Sequence, residues 1–210
     1  DDTRAKVTAQ IVRDEINALL ARQGRLIAET QNKDNIVFPE ELLKRKKDPK
    51  VAALIESQTK IFKANIQSYN GQMNILKQRV VQLQSQIART KAQIVASNKQ
   101  LKLIEKEIKS VAYLAKRKLI EESRLLALQR EEAKLKGTLG DGAAKVSLLE
   151  QRVGETKMQM ISLTDERRKE LLKELRETNQ NLAKEREKEK AATDILKRTS
   201  IRAPQNGTVV

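Results

Sequence analysis

The sequence predicts a mostly α-helical protein: a long antiparallel coiled-coil α-hairpin with an additional N-terminal helix. Two sets of mostly apolar residues recur every seven positions between residues 66 and 111, which is the pattern of a coiled-coil seam. Of the 210 residues only 2% are aromatic and 34% are charged, which suits long helices better than a globular core. The first set is Ile66, Met73, Val80, Ile87, Ile94, Leu101 and Ile108, and the second is Tyr69, Leu76, Leu83, Thr90, Ser97, Ile104 and Val111.

Residues 1–33 are predicted to form the N-terminal helix, because apolar residues from position 7 to position 27 share one helical face. Residues 34–48 are predicted to be a connecting loop, since Phe38 precedes Pro39 and is biased away from helical geometry. We expect the N-terminal helix to pack on the proximal hairpin. The expected contacts are those of Ile16, Leu19 and Leu20 with Leu182 and Leu196.

Residues 49–199 are predicted to form the α-helical hairpin. The heptads fail after Val111 and a new apolar stripe starts at Leu125, which places the turn near residues 114–122. The numbers of facing residues should then sum to about 236. The pairs expected to face each other are Ile104 with Glu132, Ser97 with Leu139, Leu83 with Val153, and Leu76 with Met160.

An alternative turn lies at Gly137–Gly142, where three glycines occur within six residues. Each glycine costs about 1 kcal/mol relative to alanine inside a helix, so this stretch has the composition of a loop. However, the apolar stripe keeps its phase through it, from Leu135 to Val146. We therefore interpret it as a bendable part of the return helix.

Residues 200–210 are predicted to form a strand, a turn and a second strand. Two strands alone are only marginally stable, so we expect them to be part of an incomplete β domain whose other strands this chain does not supply. Because the chain starts at Asp1 without Met, we expect it to be a piece of a longer protein. The sequence contains no run of about 18 apolar residues that could span a membrane, and no signal peptide.

The composition argues against an enzyme. The chain has no Cys and no His, which excludes thiol nucleophiles, histidine bases, disulfides and structural zinc sites, and we expect no cofactor. The formal net charge is +15, and its excess is concentrated between Lys50 and Lys102, where nine basic residues stand against one acid, Glu56. A solvated face or an acidic protein partner explains this charge better than nucleic acid, because no aromatic residues are interleaved to stack on bases.

Several short motifs occur in an order that resembles one family. Ile201-Arg202-Ala203-Pro204 followed by Gly207-Thr208-Val209 is similar to the entry into the second half of a lipoyl-like domain, and Asp1-Asp2-Thr3 to the exit from its first half. The stretch Val37-Phe38-Pro39 and the segment Lys118-Leu119-Ile120 also match. Together they resemble HlyD-type membrane fusion proteins, the periplasmic adaptors of type I secretion, in the branch that serves exported proteases and lipases.

The resemblance implies a lipoyl-like fragment at residues 200–210 and a function as a bridge. Such an adaptor links an inner-membrane ABC transporter to a TolC-type outer-membrane channel for protein secretion. It lies in the periplasm of a Gram-negative bacterium, anchored in the inner membrane by a helix outside this chain, and forms homo-oligomeric rings that are usually six-fold. The resemblance implies neither catalysis nor nucleic-acid binding.

The resemblance also implies a channel-docking tip at the turn of the hairpin. Its predicted residues are Leu114, Lys116, Lys118, Leu119, Ile120, Glu121 and Ser123. Related adaptors carry the motif Arg-x3-Leu-x6-Ser here, which falls on Ser110, Leu114 and Glu121, so only the leucine matches. Two alternative functions remain for the chain: a structural coiled-coil rod without a transport role, and a basic nucleic-acid-binding rod. The alternative interpretation of residues 114–123 is a turn with no docking role.

Overall fold

The computed structural model describes residues 2–199, which form four helices: α1 (Asp2–Thr30), α2 (Glu40–Leu43), α3 (Pro49–Lys116) and α4 (Glu122–Thr199). These residues include no β-strand, and none of their helices is long and apolar enough to cross a membrane. The predicted fold class, a mostly α-helical chain with a long hairpin and an N-terminal helix, is confirmed. The predicted strands at residues 200–210 lie outside the described residues.

The described chain divides into two units. The first contains α1, α2, the start of α3 up to residue 71, and α4 from residue 163 onward. The second contains residues 72–162, which are the rest of the two long helices and the turn between them.

In the second unit, α3 and α4 run antiparallel. Gly142 of α4 lies against Ile94 of α3, and these residue numbers sum to 236, the value expected from the seam. Lys91 Nζ lies 2.9 Å from Glu150 Oε1, and Arg124 Nη2 lies 2.9 Å from Glu107 Oε1. Helix α4 continues through all three glycines from residue 137 to residue 142, so the alternative turn there is wrong.

The three glycines differ in what surrounds them. A Cβ added to Gly142 would lie 2.8 Å from Cγ1 of Ile94, closer than real Cβ atoms approach their neighbours. A Cβ on Gly137 or Gly140 would meet nothing within 4 Å. Gly142 therefore leaves room for the Ile94 side chain of the facing arm, whereas the other two glycines only lower the helix propensity of α4.

In the first unit, α1 is held by an apolar cluster to which all four helices contribute. The predicted contacts Ile16, Leu19 and Leu20 lie in this cluster together with Leu182, whereas Leu196 does not belong to it. Leu42 of α2, which the sequence analysis did not single out, is fully buried. The other members are Val12, Ala21 and Val51, with Phe38, Leu54 and Ile55 packed against them.

A buried polar network lies in the same unit. Glu29 of α1 is only 2% exposed, and its carboxylate accepts a hydrogen bond from Arg25 Nη1 at 2.7 Å and one from Asn65 Nδ2 of α3 at 3.2 Å. Arg167 Nη2 of α4 lies 3.6 Å from the other carboxylate oxygen. The guanidinium of Arg167 also stacks 4.3 Å above the ring of Tyr69. Because the Glu29 carboxylate accepts a hydrogen bond from Asn65 and lies against two guanidinium groups, the cost of burying its charge is offset.

Exposed ion pairs also join α1 to the long helices. Lys50 Nζ lies 3.0 Å from Asp14 Oδ2, and Arg22 Nη2 lies 3.2 Å from Glu174 Oε2. The hydrogen bond from Lys50 lowers the pKa of the Asp14 carboxyl and, equally, raises the pKa of the Lys50 ammonium group. Exposed pairs of this kind contribute little to stability, so the apolar cluster is the main reason that α1 stays in place.

Candidate docking site at the hairpin tip

The tip of the hairpin is the connection of residues 117–121 between α3 and α4. The N–H of Leu119 donates to the carbonyl of Leu114 at 3.1 Å, and the N–H of Lys118 donates to the carbonyl of Ala115 at 2.8 Å. This pair of bonds is the Schellman motif, which ends a helix by satisfying its last carbonyl groups. On the other side, the N–H of Arg124 donates to the carbonyl of Glu121 at 3.2 Å as α4 begins.

Lys118 occupies the position of the Schellman motif that needs a left-handed backbone. Its φ is 58°, which costs a non-glycine residue about 1–2 kcal/mol. This conformation reverses the direction of the chain immediately after α3. The sequence analysis placed Lys118 at the tip, but a lysine carries no signal for a positive φ.

The apolar residues of the tip are largely uncovered. Leu114, in the last turn of α3, is 37% exposed and Leu119 is 66% exposed, whereas Ile120 is half-buried. The Schellman bond joins Leu114 and Leu119 through their backbones, so the two leucine side chains extend from neighbouring points of the turn. Two exposed leucines this close together form a small apolar surface.

Polar residues surround this apolar surface. Lys116, Lys118, Glu121 and Ser123 are all exposed. The Ser123 hydroxyl donates to a carboxylate oxygen of Glu121 at 3.1 Å, so these two side chains hold each other at the start of α4. An apolar centre with a charged rim is the anatomy of a protein-docking surface.

The structure adds one pair that the predicted site omitted. Arg117 lies 4.5 Å above the ring of Tyr113, which is exposed beside the predicted residues. A tyrosine and an arginine four positions apart at a helix end could have indicated this contact. Ser110, the position of the motif arginine, donates instead to the carbonyl of Lys106 at 3.3 Å within its own helix.

In the part of the chain that the structure describes, no cluster of three or more Asp and Glu side chains could hold a metal ion. What the tip presents is apolar area, several charges and one stacked aromatic ring. These are features of recognition between proteins.

The fold and its tip define a class of protein: a long antiparallel α-hairpin with a helix packed on its first unit and an apolar surface at its turn. The chain belongs to the family described as AprE, long α-helical hairpin, whose model matches residues 5–195.

Two further proteins are similar. The type I secretion system membrane fusion protein PrsE of Rhizobium meliloti (strain 1021) is 29% identical over 209 residues. This match covers 100% of the chain and 48% of PrsE, so the chain spans about half the length of this relative. The crystal structure of the soluble domain of LipC, a membrane fusion protein of a type I secretion system, matches with a TM-score of 0.95 at 24% identity. That match covers 100% of this chain and 79% of the LipC chain, and it shows that the two chains share a fold.

Proposed function

We propose that this chain is the hairpin part of a periplasmic adaptor in a type I protein secretion system. Membership in the AprE hairpin family and the likeness to PrsE support this role. The observation that carries the proposal is the apolar tip, because Leu114 and Leu119 are exposed where the hairpin ends. A partner bound at the tip would cover these two leucines.

The complete protein would bridge two membrane proteins. One partner is an ABC transporter of the inner membrane, which supplies the energy, and the other is a TolC-type channel of the outer membrane. The adaptor would be anchored in the inner membrane of a Gram-negative bacterium and would form a ring of identical copies, six in the expected arrangement. It would carry out no catalysis and bind no cofactor and no nucleic acid.

At the tip, each residue has a distinct proposed role in binding the channel. Leu114 and Leu119 would supply the apolar contact, with Ile120 supporting it from a half-buried position. The rim would orient the contact through charge and hydrogen bonds. The rim residues are Lys116, Lys118, Glu121 and Ser123, to which we add Tyr113 with Arg117 stacked on its ring.

The substitution Leu114→Asp tests this proposal. It places a charge in the apolar contact, and in a ring the loss at each tip is multiplied by the number of tips engaged. We expect export and co-purification of the channel to be lost, while transporter binding and the thermal melting curve remain unchanged. Leu172→Asp, at an exposed leucine in the first unit, is the matched control and should retain export.

Two outcomes would contradict the proposal. If export and channel co-purification both survive Leu114→Asp, the tip does not bind the channel. If export falls only as far as the melting temperature falls, residues 114–123 serve as a structural turn. A chain whose deletion leaves export intact would be a structural coiled-coil rod instead.

A further inference from the structure

Helix α3 carries a second apolar surface on the side opposite its seam. Ile75, Val81, Val95 and Leu103 are between 54% and 70% exposed. They belong to columns of residues seven positions apart, and the remaining members of these columns are also exposed. We call these exposed columns between residues 75 and 103 the outer face of α3. By contrast, the seam residue Leu83 of the same helix is buried.

The outer face is basic and its charge is not compensated within the chain. From residue 57 to residue 104, between Glu56 and Glu105, α3 contains Lys and Arg but no acidic residue. Arg89 and Lys102 belong to these columns, Lys99 lies in the column between them, and all three are exposed. None of them forms an ion pair in the described part of the chain.

One cation on the flank of α3 next to α4 is compensated within the chain. Lys91, on the flank next to α4, pairs with Glu150 at 2.9 Å, so acids are available where α3 meets its own partner helix. Arg89 makes only a weak contact with the carbonyl of Ser85, at 3.4 Å. Three cations and four exposed apolar residues therefore share one surface, and no acid in the described part of the chain pairs with these cations.

We infer that the outer face of α3 binds an acidic amphipathic helix of another protein. Val81, Ala88 and Val95 follow one another at seven-residue spacing on this surface, which is the spacing at which the side chains of a packed helix meet a partner. The three cations attract Asp and Glu on the flanks of that helix and select an acidic partner. From Ile75 to Leu103 the surface extends for about 42 Å at ~1.5 Å per residue, which is room for four heptads of partner helix.

Other occupants fit the outer face less well. A second copy binding through the same face would bring Arg89, Lys99 and Lys102 against like charges, which disfavours that contact. Nucleic acid would neutralise the cations, but from residue 75 to residue 103 no aromatic residue is present to stack on bases. The inference does not depend on the proposed docking role of the tip, since the two surfaces share no residue.

The test uses the 210-residue chain and two synthetic peptides. The first is a monomeric four-heptad helix with one leucine stripe flanked by glutamates, and the second has the same composition with the stripe scrambled. Binding is measured by fluorescence anisotropy at about 0.02 M and about 0.3 M salt, because screening shortens the range of charge attraction. We expect binding of the striped peptide only, and weaker binding at high salt.

Variants of the chain locate the binding surface. The triple variant Arg89→Glu, Lys99→Glu, Lys102→Glu should raise the Kd of the striped peptide at least tenfold. Val81→Gln with Val95→Gln should also raise it, since these changes remove apolar contact but keep the charge.

The matched control reverses three exposed cations of α4: Arg130→Glu, Lys145→Glu and Lys157→Glu. It changes the net charge by the same amount and should change the Kd less than twofold. Circular dichroism of every variant confirms that the helices are intact.

Several results would overturn the inference. Equal binding of the scrambled peptide, or equal weakening in the α4 control, would show attraction by net charge alone. Duplex DNA or phosphatidylglycerol vesicles could bind more tightly than the striped peptide. If the α3 triple variant removed that binding, the outer face would be assigned to a different ligand. A dimer in sedimentation analysis that dissociates in the α3 variant would assign it to a second copy.

Discussion

The substitution Gly142→Ala tests the packing of the two arms where Gly142 lies against Ile94. Alanine in place of glycine inside a helix raises stability by about 1 kcal/mol when nothing else changes. At this position the new Cβ would lie 2.8 Å from Cγ1 of Ile94, which is not the free end of that side chain. Ile94 or the backbone must shift, and overpacking of this kind costs about 1–3 kcal/mol.

The net change that Gly142→Ala makes in the free energy of unfolding is best judged against the same substitution at two neighbouring glycines. Gly137→Ala and Gly140→Ala add a Cβ in open space, so each should raise the free energy of unfolding by about 1 kcal/mol. Gly142→Ala should be less stable than either by about 1–3 kcal/mol, because the clash opposes the same gain. The three variants share one chemistry and one helix, which makes them matched controls for each other.

Equilibrium urea unfolding, followed by far-UV circular dichroism, gives the free energies. In an Ile94→Ala background the clash is absent, so Gly142→Ala should become stabilising by about 1 kcal/mol, and the double-mutant cycle reports the coupling. If Gly142→Ala stabilises the unmodified chain as much as Gly137→Ala does, the two arms do not meet at Ile94. The assigned register would then be wrong.

Three further predictions concern other parts of the chain. Ile16→Ala changes a side chain in the apolar cluster that is only 1% exposed, and it should lower the free energy of unfolding by about 2–4 kcal/mol. The control Val7→Ala, on the exposed side of α1, should change the free energy of unfolding by less than about 0.5 kcal/mol, and equal effects of the two variants would mean that α1 is not packed through Ile16. Lys118→Gly should raise stability by about 1 kcal/mol in thermal melting, because glycine adopts a positive φ without strain, and a loss of stability would argue against the Schellman turn. Because the chain has no cysteine, Leu83→Cys with Val153→Cys should crosslink on oxidation, and efficient crosslinking of Leu125→Cys with Val153→Cys instead would contradict the position of the turn.

The long helices could be predicted because their signal is local and repeated. Apolar residues at alternating three and four spacing define the seam of α3 without knowledge of the partner helix. Two such stripes in one chain also define the register, as the contact of Gly142 with Ile94 shows. The exposure of Leu114 and Leu119 followed from the same pattern, since the seam ends before them.

Features that depend on tertiary contact could not be predicted. Leu42 lies in a helix of four residues, which is too short to show a periodic pattern, yet it is fully buried. Glu29 has the residue type of a solvated surface, and its burial depends partly on Asn65 and Arg167, which are distant in sequence.

Because Glu29 contacts side chains of both long helices, α1 does not depend on its covalent link to the rest of the chain. A protease that cuts after Lys33, in the exposed connection between α1 and α2, would leave α1 bound through its apolar cluster and through Glu29. The nicked fragments would separate only when the whole first unit opens. Amide hydrogens in the buried part of α1 should therefore exchange with solvent at the same rate as those of the helices on which it packs.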